Sequence, residues 1–203
     1  MEQVKEYEYV DLGLPSGLKW AKCNVGAETE TDYGYYFQWG DIANKSNSDC
    51  NWANYKYGDG SNFSKYNPVL NGYSGTIDGK ATLDLDDDAA AQIMGGDWRM
   101  PTKDEIQELI DNTDSEWVED FNGSGVNGGK FISKINGNSI FIPASGYRSV
   151  SSFYGQGRYG YVWSSSLYAV GPDYAWDLYL DSGNAMAGSL SRSFGFVVRA
   201  VMK

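Results

Sequence analysis

Histidine is absent from the 203 residues of this chain. This removes the commonest general base and the commonest zinc ligand together. Only two cysteines are present, Cys23 and Cys50, and they could either pair or remain free thiols. No apolar run approaches the about 18 residues of a membrane-spanning helix, and residues 1–7 contain no apolar signal core. We therefore expect no metal site, no cofactor and no membrane insertion.

Basic residues are also scarce. The chain has 16 Lys and Arg against 27 Asp and Glu, a net charge of −11. Nucleic acids and anionic membranes bind basic surfaces, so this balance argues against both as partners. Hydrophobic residues make up 41% and aromatic residues 15%, with 25 Gly and only five Pro. This composition is typical of a globular, loop-rich protein, and no linker divides residues 1–203 into domains. Together with the helix and strand patterns described below, it predicts a single α+β domain over residues 1–203.

The C-terminal quarter has a selective deficit. Residues 147–200 contain no lysine and no glutamate, although residues 1–146 contain ten and nine of them. The same segment keeps four of the five arginines and has seven tyrosines. Burial of the segment does not explain this deficit, because unpaired charges are costly to bury and a buried sheet would be poor in Arg and Asp as well as in Lys and Glu. Tyr, Ser, Gly and Arg are the residues typical of binding loops, so the segment indicates recognition rather than catalysis.

Strand-like patterns begin the chain, at residues 7–12, 18–25 and 33–39. Residues 44–79 follow no regular period, and we expect an ordered surface excursion. The aromatic residues predicted to hold this excursion down are Trp52, Tyr55, Phe63 and Tyr66.

Two helices are predicted. The first spans residues 86–93, where acidic residues would begin the helix at its positive end. The second begins at Thr102, which forms a capping box with Glu105. The acidic run at residues 84–88 could also bind Ca²⁺, but it lacks the EF-hand spacing, so helix-start acids explain it better.

The rest of the chain has a β pattern. A hairpin is predicted from residues 131–135 and 139–142 around Asn136-Gly137-Asn138. Further strands are expected at residues 161–165, 175–180 and 195–201, and loops at residues 151–159, 168–174 and 184–194.

A string of motifs resembles one fold family. Residues 95–105 (GGDWRMPTKDE) are similar to the G-x-W-R-x-P-T-x-x-E signature of the C-type-lectin-like fold in its formylglycine-generating-enzyme branch. Further matches are residues 9–20, 32–34, 142–148, 162–165, 176–180 and 195–201. Together they resemble Bacteroidetes surface proteins of this fold over nearly the whole chain. The resemblance implies two helices, a mostly antiparallel twisted sheet and long loops. The cysteine pair through which enzymes of this branch act is missing after Cys50, so the resemblance does not imply an enzyme.

The composition of residues 147–200 also resembles the variable proteins of diversity-generating retroelements. In such systems adenines of a template, mostly in AAC or AAT codons, are copied with random substitution. The resulting codons reach Tyr, Ser, Asp, Arg and Gly, but never Lys, Glu, Gln, Met or Trp. This resemblance implies a diversified, exposed binding face over an unvaried scaffold. The implied contact residues are Phe153, Tyr154, Arg158, Tyr159, Tyr161, Tyr168, Tyr174, Asp177, Tyr179, Asn184, Ser189, Ser191, Ser193 and Phe194. Arg192 could belong to the face or to the frame.

The sequence thus predicts a non-catalytic receptor or adhesin that binds a protein or glycan on a cell surface. It would act outside the cell, on a bacterial surface or a phage virion. The alternatives are an undiversified adhesin, a calcium-dependent lectin or an enzyme on the same scaffold. The strings nearest to sugar-binding motifs, Gly171-Pro172-Asp173 and Trp176-Asp177, match those motifs poorly.

Overall fold

The structure is a computed structural model that describes residues 6–68, 72–150 and 152–203. Residues 1–5, most of the segment in which no signal core was found, lie outside this range. The strands are β1 (Tyr9–Asp11), β2 (Lys19–Ala21), β3 (Asn62–Phe63), β4 (Ser74–Gly75), β5 (Thr113–Val118), β6 (Gly128–Ser133), β7 (Ser139–Pro143), β8 (Tyr147–Ser149), β9 (Ser152–Tyr154), β10 (Gly160–Leu167), β11 (Tyr174–Leu180), β12 (Ala185–Ser191) and β13 (Val201–Met202). The helices are α1 (Ala89–Met94) and α2 (Lys103–Asn112). The fold is α+β, as predicted.

Antiparallel sheets dominate the fold. One joins the two ends of the chain in the order β1-β2-β13, and another has the order β5-β6-β7. The third, in the order β10-β11-β12, is built from the C-terminal quarter. Strands β8 and β9 form a separate hairpin, and β3 and β4 form a short parallel pair.

Both helices begin where a side chain caps them. Thr102 accepts a hydrogen bond from the Glu105 amide at 3.3 Å, and Glu105 accepts one from the Thr102 amide at 2.7 Å. This confirms the predicted capping box. Helix α1 is shorter than predicted, because Asp88 caps it and residues Leu85–Asp87 form a 3₁₀ turn instead. No helix in the described part of the chain is long and apolar enough to cross a membrane.

Two apolar clusters form the core. One surrounds Trp39, Trp163 and Phe196, and the other surrounds Trp20, with Ile106 and Leu109 of α2 buried in it. The β10-β11-β12 sheet lies between them: Val162 and Leu178 pack into the second cluster, while Trp163 and Ala175, on the opposite face of the sheet, pack into the first. One face of the sheet therefore rests on the helix side of the core, and the other faces the aromatic residues of the C-terminal quarter.

The excursion over residues 44–79 is anchored as predicted. Tyr55, Phe63 and Tyr66 are buried in the described part of this segment, and Trp52 packs partly against the core. Asp87 fixes it further by accepting hydrogen bonds from Tyr57, Lys56, Lys65 and Tyr66.

Several predicted elements differ from the structure. Residues 33–39 make a single bridge, between Phe37 and Phe196, so they form no strand although Tyr36, Phe37 and Trp39 are buried. Residues 195–201 likewise form isolated bridges before β13. Conversely, β5, the β8–β9 hairpin and β12 lie where no strand was predicted.

Candidate functional site

Six aromatic rings of the C-terminal quarter form a connected cluster, which we call the aromatic surface. Its members are Tyr147, Tyr154, Tyr159, Tyr161, Tyr179 and Phe194. The ring of Tyr147 lies 5.1 Å from Tyr154, 5.2 Å from Tyr161 and 5.2 Å from Phe194. The ring of Tyr179 continues the cluster, 5.3 Å from Tyr161 and 6.2 Å from Tyr159. Tyr154 is 46% exposed and the other five are partly buried, so the cluster is a surface with a packed base.

Strand register brings these rings together. Tyr147 on β8 pairs with Tyr154 on β9, and Tyr161 on β10 pairs with Tyr179 on β11. Directly opposed residues in antiparallel strands point to the same face, so each pair presents two rings side by side. Gly155 makes room for the remaining tyrosine: a methyl group there would come within 2.4 Å of the Tyr159 ring.

The surface rests on buried aromatic residues. Phe196 lies 4.9 Å from the Tyr161 ring and stacks on Trp163 at 3.9 Å. The indole nitrogen of Trp163 donates to the carbonyl of Phe37 at 2.8 Å. Both Phe196 and Trp163 are fully buried, so the exposed rings stand on a rigid layer.

The hydroxyls of Tyr161 and Tyr179 remain protonated at neutral pH. Burial raises the pKa of Tyr161 to about 12. Burial and the neighbouring Asp181 carboxylate also raise the pKa of Tyr179, whose hydroxyl donates to Asp181 Oδ2 at 2.6 Å. The surface therefore offers flat apolar rings for stacking together with neutral hydroxyls for hydrogen bonding.

Asp177 lies in the sheet beside this surface but is not part of it. It is only 1% exposed, and neither carboxylate oxygen has a hydrogen-bond partner among the described residues. Burial raises its pKa to about 8, so the carboxyl is largely protonated at neutral pH. The facing Gly188 leaves it space, because a methyl group there would lie 3.1 Å from Asp177 Oδ1.

The fourteen predicted contact residues do not all share one face. Seven lie on or beside the aromatic surface: Tyr154, Arg158, Tyr159, Tyr161, Tyr179, Asn184 and Phe194. Four belong to the opposite face of the sheet or its adjoining turn: Tyr168, Tyr174, Ser189 and Ser191. Phe153 points to the other side of the β8–β9 hairpin, where its ring lies 5.4 Å from Tyr36.

Two of these predictions are corrected by burial. Asp177 and Ser193 are 1% and 3% exposed, so neither presents a side chain to a surface ligand. Asp177 is buried because β11 is the central strand of its sheet and Asp177 is paired there with the fully buried Trp163. Ser193 lies in a turn, and its backbone carbonyl accepts a hydrogen bond from the buried Gln38 side chain at 2.9 Å.

Three of the four arginines in residues 147–200 are structural. Arg192 is fully buried and donates to the Tyr55 hydroxyl and to three backbone carbonyls, which assigns it to the frame. Arg199 is also fully buried and donates to Asn24 and to backbone carbonyls. Arg148 lies over the Tyr36 ring at 4.2 Å. Only Arg158 is exposed, with its guanidinium 5.6 Å from the Tyr159 ring.

An open groove of about 520 Å³ adjoins the aromatic surface. Trp117 of β5 lies on one side, and Arg158, Tyr159, Asp181 and Asn184 are among the other lining residues. The groove combines rings with amide, carboxylate and guanidinium groups, which suits a polar ligand that also stacks.

Three residues on or beside the aromatic surface were not predicted from the sequence: Trp117, Tyr147 and Met186. Met186 is 52% exposed and is paired with Tyr179. Tyr147 lies in the matched motif of residues 142–148, but its place beside Tyr154 depends on the register of the β8–β9 hairpin, which was not predicted. Trp117 carried no usable signal, because it comes from a strand distant in sequence.

Other polar groups are engaged in the fold. Asp84 and Asp87, which the sequence offered as calcium ligands, form ion pairs with lysines, among them Lys65 to both at 2.7 and 2.5 Å. In the described ranges no group of three or more His, Cys, Asp or Glu side chains could hold a metal ion. Cys23 and Cys50 are both free thiols, and burial raises the pKa of each, that of Cys50 to about 12.

A comparison with protein families finds that the Lcl C-terminal domain matches residues 13–202. No curated protein and no solved structure shows significant similarity to the chain. The match and the architecture, two helices among mostly antiparallel sheets, agree with the C-type lectin-like fold expected from the sequence motifs. The chain belongs to the Lcl C-terminal domain family.

Proposed function

We propose that this domain is a non-catalytic, adhesin-type receptor whose aromatic surface binds a protein or glycan exposed on a cell surface. The observation that carries the proposal is the continuity of that surface: rings from four strands and two turns meet on a buried aromatic base. Tyrosine rings supply contact area and hydroxyls at low rotamer entropy, as in antibody paratopes. Such anchors typically cost more than about 1 kcal/mol of binding energy when truncated.

We further propose that the surface is diversified by a retroelement. Support comes from the separation of roles, because surface rings such as Tyr154 can change without disturbing the buried frame of Trp163, Arg192 and Arg199. A diversifying system needs this separation, since random substitution at buried positions would often unfold the protein. The domain would be displayed on a bacterial surface or a virion, where varied targets are met.

We also propose that the domain has no catalytic activity. The hydroxyls of Tyr161 and Tyr179 have raised pKa values, and Asp177 is buried and largely neutral, so none of the three is activated as a nucleophile or a general base.

A binding experiment tests the receptor role. Fluorescently labelled protein would be applied to a glycan array and to whole bacterial cells. We expect binding that Tyr154→Ala or Tyr161→Ala lowers about tenfold, a loss of about 1.4 kcal/mol. Tyr9→Ala is the matched control, because Tyr9 is 48% exposed but lies on β1. Equal binding by all variants would show that the aromatic surface is not the contact face.

Sequencing tests diversification separately. The 3′ end of the gene would be sequenced from many cells of one population, together with its neighbourhood. We expect variation at the codons of Tyr154, Tyr159 and Tyr179, constancy at Trp163, and a near-copy beside a reverse transcriptase gene. A uniform 3′ end without such a copy would leave the receptor undiversified.

A further inference from the structure

Among the described residues, the outer edge of β12 has no strand hydrogen-bonded to it, although helix α2 packs close to β12. In the sheet order β10-β11-β12, the β10 edge is closed by the C-terminal segment, since the Trp163 amide donates to the Val197 carbonyl at 3.0 Å. Within the described residues, no backbone hydrogen bond joins residues 185–190 to any segment other than β11.

The bonds that flank β12 show which of its groups point outward. The backbone amide of Asp181 donates to the Asn184 carbonyl at 2.9 Å, and the backbone amide of Arg192 donates to the Asp173 carbonyl at 2.9 Å. These two residue pairs are therefore hydrogen-bonded pairs of the ladder. Bonded and non-bonded pairs alternate along an antiparallel ladder. The register of β12 with β11 is regular between these two pairs, so every second residue of β12 directs its amide and carbonyl away from β11. These residues are Ala185, Ala187, Ser189 and Ser191, of which Ser191 already accepts a hydrogen bond from the Phe194 amide at 3.0 Å through its carbonyl.

Strand β12 also lacks the usual protection of an edge strand. It runs for seven residues with no charged residue and no proline, and its register with β11 has no bulge. By contrast, the edge strand β5 carries Asp114 and Glu116. Native proteins normally protect long edge strands with charges, prolines or bulges, because an unprotected edge pairs with another strand.

We propose that the strand which covers β12 is β12 of a second copy of this chain, paired antiparallel about a two-fold axis at Gly188. The outward groups limit the register, because only outward residues can form the bonded pairs. With the axis at Gly188, Ala187 bonds with Ser189 of the second copy and Ala185 lies opposite Ser191. All seven residues are then matched. Shifting the axis leaves residues at the strand ends unpaired.

The side chains suit this register. Met186, which is 52% exposed, meets Leu190 of the second copy in a non-bonded pair, where side chains approach most closely. The pair occurs twice by symmetry, and the axis itself passes through a residue without a side chain. An apolar contact therefore flanks the axis on both sides.

The pairing has a consequence for binding. A two-fold axis perpendicular to the joined sheet places the same sheet face of both copies on one side. Tyr161 and Tyr179 lie on the face that carries Met186, so the two aromatic surfaces would face the same way. A target with repeated epitopes could then be bound twice, which raises avidity without new contacts.

Charge sets the conditions for association. Each copy carries a net charge of −11, so the copies repel at low ionic strength. A seven-residue ladder is also a small interface. We therefore expect dimerisation that depends on protein concentration and strengthens with added salt.

Sedimentation equilibrium of the whole chain tests the proposal. The wild type should shift from 22.4 kDa towards twice that mass as concentration and NaCl rise. Ser189→Pro removes an outward amide that the fold does not use, and edge strands accept proline at such positions. It should weaken dimerisation at least about tenfold. Met186→Glu should act similarly, whereas Ile135→Glu, at a residue 55% exposed on the β6–β7 turn, should not.

A cross-link tests the register, in a Cys23→Ser background. The double variant Met186→Cys/Leu190→Cys should form intermolecular disulfides on mild oxidation, because the two positions face each other across the axis. Met186→Cys alone should not, since its two copies would be about 13 Å apart along the strands. A wild type that stays monomeric at all concentrations and salts, or variants that associate like the wild type, would overturn the proposal whether or not the aromatic surface binds a ligand.

Discussion

Asp177 makes folding stability depend on pH, because its carboxyl is buried and has no hydrogen-bond partner among the residues that the structure describes. An ordinary aspartate titrates near 3.8, while this one titrates near 8 in the folded protein. Between these values the unfolded chain has lost a proton that the folded chain keeps. Folding stability should therefore be fully present below pH 3.8 and fall as pH rises through about 8. The slope is at most about 1.4 kcal/mol per pH unit.

We expect Asp177→Asn to remove this fall, because the amide does not ionise. Urea denaturation between pH 4 and 9 would measure the free energy of unfolding of both proteins. Asp114→Asn, at an exposed position, is the control and should keep the wild-type slope. A wild-type slope that persists in Asp177→Asn would show that another group causes it.

Residue type alone proved a weak guide to the role of arginine. The survival of four arginines in residues 147–200 pointed to a binding face, yet Arg148, Arg192 and Arg199 serve the frame. Nothing local in the sequence separates them from Arg158. Their role depends on carbonyl groups that tertiary folding brings to them, such as those of Lys65 and Pro172 for Arg192.

At the scale of elements, those with local determinants were predicted best. The capping box placed α2 correctly, and Asn136-Gly137-Asn138 placed the β6–β7 hairpin. Strand β12 was missed because its run of Ala, Gly and Ser has no β propensity, and it forms only by pairing with β11. Residues 33–39 had strong β propensity, but within the described part of the chain their one β-bridge is between Phe37 and Phe196.

The cap of α2 gives a prediction at this scale. Thr102→Ala removes the hydroxyl that accepts from the Glu105 amide, so we expect a loss of about 1 kcal/mol in the free energy of unfolding. Chemical denaturation would measure it, with the exposed Thr76→Ala as the control. A change equal to that of the control would mean that the salt bridge of Glu105 to Arg99 holds the helix start by itself.

At the scale of the molecule, Arg192 ties the long excursion to the C-terminal sheet. Its guanidinium reaches Lys65 and Tyr66 in the excursion and Pro172 between β10 and β11. Arg192→Met leaves several buried acceptors without a donor, so we expect a loss of at least about 3 kcal/mol in the free energy of unfolding. Limited proteolysis should then cut within residues 44–79.

Arg158→Met is the matched control, since Arg158 is exposed on the surface of the same segment, and it should change stability by less than about 0.5 kcal/mol. Equal effects of the two substitutions would contradict a structural role for Arg192.

The sequence by itself determined the α+β class, the lectin-like motifs and the recognition composition of residues 147–200, because these depend on residue types and local spacing. Only the tertiary structure decided which tyrosines meet. Strand register and the packing of Phe196 joined six rings into one surface, and put Tyr168 and Tyr174 on the other side. The tertiary structure also buried Asp177 and placed β12 at the edge of its sheet. Burial and strand pairing depend on neighbours that are distant along the chain, so the sequence did not predict them.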